Sequence, residues 1–200
     1  MIKRKICSER LIDQKDHEKI GIIKLLSERK LLDSVSFAKP YNRVIMQEFY
    51  TNLKKGISDD NSPFYERVYI RGHMFEFSPL LISSMLNCPI VKSSRKKELN
   101  LDMHKVAVEL TSSALTHWPT ENAIPSAVLT SKYSILHKVA IANWLPRLHI
   151  STVSKDLAIL LFAIGTGEEF DLAKVIFQVI ISNAESENTV NVLPYPSLIF

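Results

Sequence analysis

Three sets of residues in this 200-residue chain could carry chemistry: clustered carboxylates, histidines, and cations interleaved with aromatic rings. Strand-cutting enzymes of mobile DNA hold two metal ions on a carboxylate triad. The acidic candidates are Asp59, Asp60, Glu76, Asp102, Glu109, Glu168, Glu169 and Asp171. Such triads seat their first members on a central sheet, and the sequence offers one hairpin and no such sheet. Glu168, Glu169 and Asp171 precede an apolar helical stripe, where a helix N-terminus favours negative charge. They read as helix-starting residues, with metal binding as the rival reading. The histidines, His17, His73, His104, His117, His137 and His149, are scattered. His17-Glu18 lacks the second His of a zinc-protease helix. His73 reads as a turn residue, and His104 and His137 as exposed or interfacial residues of helices. No Gly-x-Ser-x-Gly nucleophile elbow occurs. Gly165-Thr166-Gly167 lacks the lysine and the preceding strand of a phosphate loop. A Ser/His/Asp site assembled from distant segments stays open. No catalytic residue, metal ligand or cofactor is assigned, and an enzyme is not expected.

The cations give a different reading. Arg67 and Arg71 alternate with Tyr65 and Tyr69, and Arg95, Lys96 and Lys97 follow the next apolar stripe. Together Arg67, Tyr69, Arg71, Arg95, Lys96 and Lys97 could form a basic face with stacking platforms for nucleic acid. The competing reading pairs Arg67 and Arg71 with Glu66 and Glu76 across the hairpin. Residues 1–100 hold 19 Lys/Arg against 12 Asp/Glu, and residues 101–200 hold 6 against 9, for a net +4. The excess sits in Lys3-Arg4-Lys5 and Arg95-Lys96-Lys97, which suit phosphate contact or nuclear import, or a solvated tail and loop.

Several elements must position these groups. Residues 1–30 read as a polar, basic extension with a modest docking helix around Ile20–Leu26. Val44, Ile45, Phe49 and Leu53 form a stripe that predicts a helix over 41–55, ended by Gly56. Residues 66–77 alternate β-branched and aromatic residues about Gly72, which predicts a hairpin, the only clear β element. Ser78-Pro79 starts a helix that Pro89 stops. Asp102 caps a helix to about Leu115. Residues 126–145 make a long amphipathic helix whose Trp144 reads as core, or else as a nucleic-acid stacking ring. Ser151 or Ser154 caps the next helix, whose run Leu157–Ile164 is apolar all round and so central, and which Gly165-Thr166-Gly167 breaks. Asp171 caps a helix to about Asn183. Leu193–Phe200 reads as one more helix beginning.

The fold class is therefore mainly α: a multi-helix globular bundle with one short β-hairpin. Hydrophobic residues at 46% and only 5 glycines fit one sizeable core, read here as a single domain over 31–200 that is truncated at its C-terminal end. Cys7 and Cys88 form no C-x-x-C pattern, and no apolar run approaches the roughly 20 residues of a membrane span. An intracellular protein, nuclear or cytoplasmic and off the membrane, is expected.

The ordered set Gln47–Leu53, Val68–Gly72, Phe77-Ser78-Pro79 with Ile82, Trp144-Leu145, Asp156–Ile164 with Gly167, and Leu193–Ile199 resembles the plant transposon protein domain of plant retroelement and transposon polyproteins. The resemblance covers roughly residues 30–200. That family's activity is undefined, so it lends no functional residues. It implies a domain derived from a mobile element, with nucleic acid or other mobile-element proteins as partners. Non-catalytic binding or assembly is the expected role. The rivals are a helical protein–protein scaffold and the remnant of a metal-dependent nuclease or transposase.

Overall fold

The computed structural model describes residues 21–36, 39–53, 56–91, 101–146, 150–185 and 194–199. In chain order the elements are α1 (Ile22–Glu28), α2 (Arg43–Asn52), β1 (Arg67–Ile70), β2 (His73–Glu76), α3 (Pro79–Leu86), α4 (Met103–Thr111), β3 (Ala123–Pro125), α5 (Ser131–Asn143), β4 (Thr152–Ser154), α6 (Lys155–Thr166) and α7 (Leu172–Glu185). The fold is mainly α. Chain contacts gather the described residues into two compact units, one from residues 33–36, 39–53, 56–90, 172–185 and 194–199, the other from residues 21–32, 91, 101–146 and 150–171. Among the described residues no helix is long and apolar enough to cross a membrane.

In the first unit α2 starts where Asn42 Oδ1 accepts from the amides of Val44 and Ile45. Its buried face is Met46, Phe49 and Tyr50, while Val44 is half exposed. Of the expected stripe Phe49 is buried and Ile45 and Leu53 are half-buried, but Met46, Gln47 and Tyr50 are buried beyond it. The helix ends at Leu53, before Gly56. α3 begins as expected, with Ser78 Oγ accepting from Leu81 and Pro79 in the first turn. It packs along α7, and α2 packs on β1. Edge-to-face rings run from Tyr50 to Phe49 (centroids 5.4 Å) and on to Phe77 (4.9 Å), which meets Phe177 at 5.2 Å. Residues 194–199 form a turn where a helix was expected. The Tyr50 hydroxyl donates to the Pro194 carbonyl, and Ser197 Oγ accepts from the Lys39 amide. These bonds hold the segment down in a non-helical path, with Tyr195 at φ 57°.

The second unit is built on α6. Leu157, Ala158, Leu160, Leu161, Ala163 and Ile164 are all buried, against α4, α5 and β4. Gly165 lies inside this helix and Gly167, at φ 88°, ends it. A Cβ on Gly165 would sit 2.2 Å from the Tyr133 hydroxyl oxygen, so glycine there makes room for a ring. The helix expected from 126 starts at Ser131 instead. Ser126 donates its amide to the Ser151 carbonyl, extending a β3–β4 ladder that the sequence reading missed. α1 packs on α5, burying Ile22 and Leu26. Arg29, just after α1, donates to the carbonyls of Gly167 and Glu168.

Candidate functional site

The hairpin of the first unit carries Arg67, Tyr69 and Arg71; Arg95, Lys96 and Lys97 lie outside the described residues. Strand alternation sends Val68 and Ile70 inward and leaves Arg67 and Tyr69 exposed. The two-residue turn has Arg71 at φ 50° and Gly72 at φ 83°, the type I′ geometry that matches strand twist. That geometry requires glycine's freedom. It also fixes the register: Ile70 faces His73, Tyr69 faces Met74, Val68 faces Phe75 and Arg67 faces Glu76.

All four residues of β2 are exposed. Tyr69 is 49% exposed, Met74 48% and Phe75 49%. Tyr65, Glu66, Arg67, Met74, Phe75 and Glu76 line an open cleft of about 490 Å³. Glu66 chiefly, with Asp60 adding to it, pushes the Tyr65 phenol above its ordinary pKa.

The two arginines differ. The Glu48 carboxylate accepts the Arg71 amide at 2.8 Å and its Nε at 3.2 Å, which ties the turn to α2. Arg71 thus pairs on its helix neighbour, where Glu66 and Glu76 were the expected partners. Arg67 stands opposite Glu76 in register and has no ion pair within 4.0 Å among the described residues. Glu76 itself accepts a bond from the Ser78 hydroxyl at 2.7 Å. The arrangement can stack rings, bury apolar side chains and bind charge.

Trp144 is fully buried, as a core residue is. Among the described residues no three His, Cys, Asp or Glu side chains stand close enough to hold a metal ion. Glu168 and Glu169 are exposed beyond Gly167, and Asp171 immediately precedes α7. His73 lies in β2 rather than in the turn.

Sequence reasoning missed two constellations in the second unit. The Tyr133 hydroxyl donates to Glu109 at 2.6 Å, and Lys132 Nζ lies 3.3 Å from the same oxygen. Burial and Glu109 hold the Tyr133 phenol far above its usual range, and the Tyr133 hydroxyl lowers the Glu109 carboxyl. The partners lie 24 residues apart, so no local spacing announces them. His104 and His117 also meet, ring centroids 5.1 Å apart, with the Trp118 amide donating to His104 Nδ1 at 3.2 Å. Since a metal at Nε2 would need the proton on Nδ1, this bond leaves His104 poorly set as a ligand.

A family model described as "Putative plant retrotransposon-related domain" matches residues 27–200. No curated protein and no solved structure matches the chain.

Proposed function

The chain belongs to the plant retrotransposon-related domain family, and from that premise we propose that it is a binding or assembly domain without chemistry of its own, whose contact surface is the β1–β2 hairpin. One observation carries the reading: Tyr69 and Met74, paired on one face of the hairpin, and Phe75, on the other, are each about half exposed, with the turn tied to α2 through Glu48 and Arg71. Large apolar residues left in water at one tip of a domain are a common basis of interaction surfaces. The favoured partner is a protein. Glu66 and Glu76 line the same cleft as Arg67, Asp60 acts on the neighbouring Tyr65, and Glu48 is paired with Arg71, so acidic groups outweigh the one cation of the cleft and disfavour phosphate.

The second reading, nucleic acid, is favoured by Arg67 standing beside Tyr65 and Tyr69, a cation among stacking rings. It would recruit Arg95, Lys96 and Lys97 as further phosphate contacts.

Peptides displayed on phage and selected against the full chain test the first reading. Enriched peptides should lose binding when Tyr69→Ser and Phe75→Ser are combined; peptides indifferent to that change would remove the hairpin as contact surface. Salt-dependent binding of single-stranded DNA and RNA, weakened by Arg67→Ala, would instead favour the second reading. Nucleic-acid binding that ignores Arg67, Arg71 and Arg95–Lys97 substitutions would end it.

A further inference from the structure

We infer that the outer edge of β2 takes an extended, basic stretch of a partner polypeptide as a third strand. The inference rests on the reading of the hairpin as the contact surface. It begins with the phase of the ladder. In an antiparallel pair, residues alternate between exchanging backbone bonds with the partner strand and pointing them away. The tight turn makes Ile70–His73 and Val68–Phe75 the bonded pairs, and the Phe77 amide donating to the Glu66 carbonyl at 2.7 Å continues that phase. Tyr69–Met74 and Arg67–Glu76 therefore turn their amides and carbonyls outward.

The two outer edges are treated differently. On β1 the outward Tyr69 carbonyl accepts from Asn52 Nδ2 at 2.7 Å, so α2 covers that edge. On β2 the outward amides and carbonyls of Met74 and Glu76 have no partner among the described residues. Proteins blunt such an edge with lysine, proline, a bulge or an inward charge. β2 reads His-Met-Phe-Glu and is protected only by its shortness and by the single charge of Glu76. An added strand would find backbone bonds at Met74 and Glu76 and apolar contact on both faces, with Met74 on one and Phe75 on the other.

Charge selects the occupant. On the face shared by Met74 and Glu76, the incoming side chain opposite Glu76 meets a carboxylate, with Glu66 in the same cleft and Asp60 acting on Tyr65. Arg67 is the single cation against them in that cleft. Lys or Arg at that position is favoured, with apolar residues opposite Met74 and Phe75. An acidic strand or a phosphate backbone meets net repulsion.

The test uses the full chain and a fluorescent peptide of repeated Lys-Val-Val, which can set Lys opposite Glu76 and Val opposite both Phe75 and Met74, read by anisotropy. Saturable binding is expected, reduced at least about fivefold by Glu76→Lys, since an exposed attraction is lost and a repulsion gained. The same peptide with alternate amides N-methylated should not bind, which tests strand addition without altering the protein. Met74→Pro removes one outward amide at an edge where proline is tolerated, and should weaken binding too. No binding, equal binding of a Glu-Val-Val peptide or a single-stranded DNA oligonucleotide, or indifference to Glu76→Lys would overturn the inference. If the Lys-Val-Val peptide fails while phage-selected peptides still depend on Tyr69 and Phe75, the strand proposal falls alone. If the selected peptides ignore those residues, both fall.

Discussion

Tyr133 and Tyr69 show two uses of one residue type. Tyr133 is 1% exposed, its ring pressed against Gly165 and its hydroxyl bound to Glu109. Tyr69 is 49% exposed and paired across the hairpin with an equally open Met74. The layer around α6 spends its aromatic and aliphatic residues on packing. The hairpin is positioned by Val68 and Ile70 and leaves its larger residues outside. If that contrast is right, substitutions around α6 should unfold the protein and leave no specific binding defect. Substitutions on the hairpin should do the reverse.

The largest effect is expected from Trp144→Ala, which empties a fully buried site beside the helix layer. A buried Trp or Phe truncated to Ala costs about 3–5 kcal/mol. Urea denaturation followed by circular dichroism should show it, and an unchanged midpoint would place Trp144 outside the load of the core. Next comes Gly165→Ala. The new methyl would overlap the Tyr133 ring, and overpacking of this kind costs roughly 1–3 kcal/mol. The effect should vanish in a Tyr133→Ala background, because the two changes share one space. Additive losses would mean that Gly165 is needed for something other than that ring.

How much of this contrast could be read in the sequence depends on how local its causes are. The hairpin was legible because Arg71-Gly72 and the alternation around it lie within twelve residues. The start of α3 was legible because Ser78 caps its own next turn. The β3–β4 ladder was not: its strands have three residues each, and Ala123 pairs with Ser154 across a whole helix. Gly165 looked like a helix breaker, since its reason for being glycine is a ring 32 positions earlier. At the candidate site, the residue types were visible but their availability was not. Glu48, 23 residues away, decides that Arg71 is already paired.

A smaller effect should appear with pH. His137 is buried in α5, with Nε2 lacking a hydrogen-bond partner among the described residues. Burial chiefly, with Lys138 adding to it, lowers its pKa below the ordinary value. The folded protein then resists protonation while the unfolded chain accepts it near pH 6.5. Stability should be full above that pH, decline as pH falls through it, and level off below the lowered folded value. His137→Gln should flatten that limb of a pH series of thermal melts. An identical slope in the variant would show that other groups cause it.

The smallest expected effect on stability is the most informative about the hairpin. Phe75→Ser and Tyr69→Ser remove side chains that are already half in water, Tyr69 on the hairpin face away from Val68 and Ile70, and Phe75 on the fully exposed strand β2. Surface changes of this kind usually stay within about 0.5 kcal/mol. Val68→Ser, next to Tyr69 and on the opposite face, puts a hydroxyl where the side chain is 2% exposed and should cost several times more. Urea midpoints for the three variants therefore measure how sharply the hairpin divides its labour. A Phe75→Ser loss as large as that of Val68→Ser would mean that Phe75 supports the fold, and its exposure would no longer argue for a partner.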